Sequence, residues 1–201
     1  MSSSVPDYRQ LTATEGRPGG TSWGLFGDDR GTVNFTAPEA IVAAAREVQR
    51  GAVFSLNLAT TMPSPPILGR GALAHHRVEL DGGGFDDYYD SFYPQGSSQW
   101  DSLAHVEHPH LGFYQGYDVT AVTDAHAPVL GIDQWAQTGI AARFVLADVA
   151  GHLRRQGRPL DASESFGISV DLLEDVLRDQ GSPLRHGDIL LINTGWLAHH
   201  R

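Results

Sequence analysis

Apolar residues fall at helical spacing in two stretches of the chain. Ile41, Ala45 and Val48 follow Thr36-Ala37-Pro38-Glu39. There Thr36 can cap, Pro38 suits a first turn and Glu39 completes a capping box, so a helix is predicted from Thr36 until Gly51 stops it. A second helix is predicted over residues 169–180, where Val170, Leu173 and Leu177 share a face and Asp171, Glu174 and Asp175 favour the N-terminal half. Alternation marks strands elsewhere. Phe54, Leu56 and Leu58 alternate with Ser55 and Asn57, and His76, Val78 and Leu80 alternate with Arg77 and Glu79 ahead of a Gly82-Gly83-Gly84 turn. Phe144 to Val149, broken only by Asp148, and Asp188 to Asn193 after a turn at His186-Gly187 are apolar runs that predict buried strands.

Between these elements, Met62 to Leu68 is Pro-rich and predicts a loop, and residues 1–36 predict an irregular, packed leading segment. Arg154, Arg155 and Arg158, beside Gly151 and Gly157, suggest a solvated loop. The strands are too few for a doubly wound fold. The pattern therefore predicts an α/β or α+β fold around one mixed sheet, with residues 1–201 as a single domain lacking an internal repeat.

Composition narrows the chemistry. The chain has no cysteine, which removes thiol nucleophiles, iron–sulfur clusters and Cys-ligated zinc. All 14 basic residues are Arg, so no Schiff-base or phosphate-loop lysine exists. A formal charge of −10 without a basic stripe argues against a nucleic-acid partner. No apolar run approaches the roughly 18 residues of a membrane span, and the first residues lack the pattern of a secretory signal. A cytoplasmic location is the default expectation.

The densest chemistry lies between Tyr93 and His110. Three of the 10 histidines, His105, His108 and His110, fall within six positions beside Asp101 and Glu107. Imidazole and carboxylate are the ligand types of a water-activating divalent metal site. If the stretch is helical, the four-residue step from Asp101 to His105 puts both on one face. Spacing alone leaves an alternative open, in which the histidines are solvated loop residues and Asp101 is a cap. Asp148, interrupting an apolar strand, suggests a hydrogen-bonded or site-facing role. His75, His76, His126 and His152 suggest structural or surface groups.

Residues 95–105, with Asp101 and His105 at its matching positions, resemble the motif H-x-G-T-H-x-D-x-x-x-H of the cyclase and kynurenine-formamidase family of metal-dependent hydrolases. Gln95 and Gln99 stand at the two leading His positions, and Ser97-Ser98 at the Gly-Thr step. Trp23-Gly24 with residues 28–34, Gly112 to Gly116, residues 139–148 and residues 187–196 are similar to further signatures of the longer members, so the resemblance covers most of residues 23–196.

The resemblance implies a cyclase-like swivelling β/β/α domain with a mixed sheet. It implies a divalent metal, zinc or manganese, at Asp101, Gln99 and Gln95, with His105 as the proton-transfer group. The implied substrate is a small amide, formamide, lactam or lactone, N-formylkynurenine being the best-known example, and homo-oligomers are common among relatives. Trp100, Tyr93, Phe113 and Tyr114 could line an aryl pocket, against which ordinary core packing competes. Two departures carry expectations of their own. Gln offers only a neutral amide oxygen, a weaker zinc donor than imidazole. Relatives also continue past the Thr194-Gly195-Trp196 strand with a further His and Glu for the metal, so the family domain is expected to be C-terminally incomplete here. The competing reading is thus a non-catalytic relative or a fragment that does not assemble the metal site. A serine hydrolase built on Ser97 or Ser98 is disfavoured, because no Gly-x-Ser-x-Gly elbow is present.

Overall fold

The computed structural model describes residues 5–200. Met1 to Ser4, which begin the leading segment, and the terminal Arg201 lie outside the described residues. The chain divides into two compact units. One comprises Met1–Val48, Trp100–Arg143 and His186–Asp188, the other Gln49–Gln99, Phe144–Arg185 and Ile189–Arg201.

The first unit holds helices α1 (Pro38–Ala45), α2 (Val119–Val122) and α3 (Ile132–Thr138), with short 3-10 turns at Tyr8–Gln10, Gly31–Phe35 and Tyr114–Gly116. Its buried apolar residues are Val33, Phe113 and Leu130. The described part of the leading segment is irregular; residues 5–20 are mostly exposed, and it packs from about residue 21 onward. Gln115 Oε1 accepts from the Gly24 backbone N–H at 2.8 Å, and Tyr117 donates its hydroxyl to Asp29 at 3.1 Å. Asp28, Arg30 and Asn34 bond one another, with Arg30 Nη2 2.7 Å from Asp28 Oδ2 and Asn34 Nδ2 2.7 Å from Asp28 Oδ1.

Helix α1 departs from its prediction at both ends. The Thr36 hydroxyl donates to the Val33 carbonyl, closing the preceding 3-10 turn, so Ala37 is the N-cap and supplies no side-chain bond. The helix stops at Ala45, because the Arg46 N–H turns back to the Ala43 and Ala44 carbonyls, and Ile41 and Val48 are exposed. The turn at His186-Gly187 holds as read. Gly187 has φ +84°, and a Cβ there would lie 2.8 Å from the Ala40 methyl and 3.0 Å from the Phe35 carbonyl oxygen, which leaves room only for glycine.

The second unit carries the strands as two separate pairs, where the sequence suggested one sheet. Strands β1 (Ala74–Glu79) and β2 (Phe85–Asp90) form an antiparallel hairpin closed by the predicted triple-glycine turn. Strands β3 (Phe144–Ala147) and β4 (Ile189–Ile192) pair in parallel, with Phe144 opposite Ile189 and Ala147 opposite Ile192. Helices α4 (Val149–Arg155) and α5 (Val170–Gln180) lie between them in sequence, and α6 (Trp196–His199) follows. Val145, Ala147, Val149, Leu153, Val176 and Leu177 form the buried cluster, with Leu160, Ile168, Leu172 and Leu173 packed against it.

Only one face of β3 is buried: Phe144 and Leu146 point away and are exposed, and β4 is half-exposed. A pair only two strands wide, with its packed helices on one side, cannot bury both apolar faces. The predicted strand over 53–58 forms no ladder. Val53, Phe54 and Leu56 are exposed, and the segment is held at its end by the Leu58 N–H donating to Ser98 Oγ at 2.6 Å and Ser97 Oγ donating to the Ala59 carbonyl at 2.9 Å. Helix α5 keeps its predicted bounds because both ends are capped. Ser169 Oγ accepts from the Leu172 N–H, and Gly181 ends the helix in the left-handed region at φ +64°. Its buried residues are Val176 and Leu177, while Val170 is exposed.

Asp148 resolves as a node. It is the N-cap of α4, with Oδ1 accepting from the Gly151 N–H at 3.0 Å and from Asn193 Nδ2, beyond the end of β4, at 2.8 Å. Its own N–H donates to Gln180 Oε1 at the end of α5. Arg154 and Arg155 accordingly sit in the last turn of a helix and not in a loop. Burial raises the Asp148 pKa, but the Gly151 N–H, the Asn193 amide and the charges of Arg155 and Arg154 outweigh it and hold the carboxyl below its ordinary 3.8.

A group depressed on folding stabilises the native state fully above its unfolded pKa and loses that contribution as pH falls through the folded value. Asp148→Asn retains a capping oxygen but does not titrate. We expect its urea midpoint to fall less steeply than that of the wild type below about pH 4. Parallel acid limbs would refute the assignment. Among the described residues no helix is long and apolar enough to cross a membrane.

Candidate functional site

The motif residues occur where the chain leaves β2. Ser91 takes a left-handed backbone, φ +55°, and Pro94–Gly96 form a 3-10 turn that carries Gln95, half-buried; Gln99 is exposed. Both belong to the second unit, and Trp100–Arg143, which carries Asp101 and His105, to the first. The serines of the motif are occupied by the backbone of residues 58 and 59, as described above, which gives both hydroxyls a structural task.

In the first unit, Asp101 and His105 do come together. Asp101 Oδ1 and His105 Nε2 are 4.0 Å apart, with side-chain exposures of 45% and 34%. The stretch is not helical. A turn closed by the His105 N–H donating to the Ser102 carbonyl at 3.1 Å brings the imidazole back towards the carboxylate. At 4.0 Å the two side chains are neighbours but farther apart than a hydrogen bond. Both groups are reachable from solvent, which a proton-transfer group needs. The other two histidines of the cluster turn to each other, with ring centroids 6.0 Å apart and the His110 N–H donating to His108 Nδ1.

The aromatic candidates separate. Phe113 is buried, and Tyr114 donates its hydroxyl to the Ser22 carbonyl at 3.4 Å. Trp100 is exposed and meets Trp135 edge-on at 6.2 Å. Tyr93 belongs to the second unit, where it lines a cleft of about 250 Å³ together with Phe92, Ser91 and Arg70. Arg70 had no signal in the sequence beyond being the single charge in the Pro- and Gly-rich stretch from Met62 to Gly71.

His75 and His76 lie on the hairpin, on opposite faces. His75 Nε2 is 2.7 Å from Asp87 Oδ1 and His76 Nε2 is 3.0 Å from Asp90 Oδ2, and each ring packs on a tyrosine of β2. His152 is buried, its Nδ1 3.2 Å from Asp179 Oδ2, which ties α4 to α5.

The donor chemistry bears on the implied metal. A catalytic zinc site takes three protein ligands of imidazole or carboxylate type. Among the described residues no three His, Asp or Glu side chains converge as a metal-binding group. Asp101 is the one carboxyl donor of the motif's metal positions, and Gln95 and Gln99 offer neutral amide oxygens. This set does not fit a zinc centre.

The sequence profile of the family described as "Putative cyclase" matches residues 35–201. A crystal structure of a novel cyclase is 32% identical in sequence, superposes with a TM-score of 0.75 and covers 89% of this chain. This chain spans 62% of the length of that one. No curated protein matches the sequence.

Proposed function

Because the chain belongs to the cyclase family, we propose that it hydrolyses a small amide, formamide, lactam or lactone, with His105 as general acid and base and Asp101 as its partner. The observation that carries this reading is the approach of Asp101 Oδ1 to His105 Nε2, at the motif positions, in a solvent-reachable turn. The imidazole takes a proton from water as the water oxygen bonds to the carbonyl carbon. It then returns a proton to the leaving nitrogen or oxygen as the bond to that atom breaks, giving a carboxylic acid and an amine or alcohol. Asp101, with its negative charge 4.0 Å away, favours the imidazolium that forms between the two steps.

The donor set does not fit a zinc centre, so no step is routed through an ion. Elemental analysis of the purified chain, before any chelator or added metal, is expected to find well under one equivalent of zinc or manganese. A stoichiometric ion that is lost in Asp101→Asn would overturn that expectation and restore Asp101, Gln99 and Gln95 as ligands.

A small-molecule substrate, a cytoplasmic setting and homo-oligomeric assembly complete this reading. Arylformamides, N-formylkynurenine first, are the substrates to try, and a place in tryptophan catabolism depends on that result. A second reading, a non-catalytic family member, is favoured by one specific observation: two of the motif's three metal positions hold neutral amides. One assay separates the two. Turnover of a formamide, lactam or lactone that requires His105 supports the hydrolase, and no turnover across that panel supports the non-catalytic relative.

A further inference from the structure

The cleft in the second unit contains one cation and no anion. Its walls come from the Pro-rich loop, the chain leaving β2 and the segment 70–73, and Arg70 is its one ionisable group apart from the Tyr93 phenol. The protein has 24 acidic residues against 14 basic ones, yet none of the acids lines this space. Among the described residues, no carboxylate forms an ion pair with Arg70, a residue of intermediate exposure. Of the other half-buried arginines, Arg30 pairs with Asp28 and Arg143 with Asp188, whereas Arg17 donates to the Thr12 carbonyl and does not line this cleft. A guanidinium facing an acid-free recess favours an anion that brings its own charge.

A Cβ on Gly96 would lie 4.0 Å from Arg70 Cδ, an ordinary van der Waals distance, which places the arginine stem beside the Pro94–Gly96 turn. Ser91 holds a left-handed backbone, a conformation that non-glycine residues adopt at a cost and that clusters at binding sites. It brings the Ser91 side chain and the Tyr93 ring against Gly71, beside Arg70. Phe92, Tyr93 and Pro63 supply apolar surface, and Thr60 and Ser91 supply hydroxyls. At about 250 Å³ the recess lies just below the roughly 300–1,000 Å³ usual for small-molecule sites.

From these observations we propose that the cleft binds the carboxylate of a small aromatic acid, with Arg70 as the anion-recognising residue. A single guanidinium matches a single carboxylate through two parallel N–H···O bonds. A phosphate dianion calls for more positive charge than one arginine, and the protein's net charge of −10 disfavours polyanions. The site lies within one unit and does not depend on the hydrolase reading.

The test uses the full chain with benzoate as probe and benzamide and inorganic phosphate as comparisons, followed by titration calorimetry and by backbone amide chemical shifts. Benzoate is expected to bind and to shift Gly71, Ser91 and Gly96, with benzamide weaker by about 10-fold or more, the cost of losing a charge-assisted contact. Arg70→Gln should weaken benzoate by a similar factor and Arg70→Lys by less, while Arg50→Gln, an exposed arginine of the same unit, should change nothing. The proposal is overturned if benzoate does not bind, if its shifts map elsewhere, if benzamide binds equally well, or if phosphate binds more tightly than benzoate. Equal weakening by Arg50→Gln also overturns it. Should Arg70→Gln fail to fold, the wild-type shift map and the benzoate–benzamide comparison decide the question alone.

Discussion

Leu153→Ala is expected to destabilise the second unit by roughly 2–3.5 kcal/mol, the lower part of the range for large-to-small core changes. Leu153 is 1% exposed and packs in the cluster formed by Val145, Ala147, Val149, Val176 and Leu177. Truncation removes its transfer free energy and leaves a void in the layer between β3 and the two helices. The lower end is expected because Leu153 also borders a cleft of about 240 Å³ shared with Leu160 and Phe166, into which the void can open and partly collapse. Urea denaturation followed by far-UV circular dichroism measures the change. Loss of less than about 1 kcal/mol would mean that this cluster is not the unit's core. By contrast Val170→Ala, at a position 69% exposed on α5, should have little effect on the midpoint although the sequence pattern gave it the same face as Leu177.

That contrast shows where pattern reading succeeds. Helix α5 is legible because its ends carry local instructions, Ser169 and Gly181, that need no tertiary partner. Strands β3 and β4 are legible as apolar runs, but their exposure is not, since the sequence does not state how many strands will flank them. The alternation over 53–58 has the right period for a strand and finds no ladder, because a strand exists only where another edge accepts it. Strand β2 is missed for the opposite reason. Phe85-Asp86-Asp87-Tyr88-Tyr89-Asp90 has no apolar alternation, and it pairs through cross-strand contacts of His75 with Tyr89 and Asp87 and of His76 with Tyr88 and Asp90.

The site divides along the same line. Asp101 and His105 were identifiable from the motif, and they approach through a turn where helical spacing was the stated condition. The Arg70 cleft was not identifiable, because its walls come from two separate stretches, 60–73 and 91–96, that share no motif.

His105→Ala is expected to lower kcat/KM for the best formamide or lactone substrate by about 10²–10⁴-fold, the usual contribution of a positioned general acid and base. The fold should be unaffected. The His105 side chain is a third exposed, and its backbone N–H, which closes the turn onto Ser102, survives the change. Asp101→Asn leaves the imidazole in place and removes only a charge 4.0 Å away, so a smaller loss is expected, about 10-fold. The order of the two effects matters more than their size. If His105 moves the proton and Asp101 supports it, the histidine variant is the slower enzyme, and added imidazole restores part of its rate. If Asp101→Asn is the more damaging change and imidazole restores nothing, then Asp101 is the primary catalytic group, as it would be in holding an ion, and His105 is secondary. Equal kcat/KM in wild type and His105→Ala would remove the histidine from the mechanism altogether. Chemical rescue separates a lost proton carrier from a disturbed turn, since imidazole in solution can supply the former and cannot repair the latter.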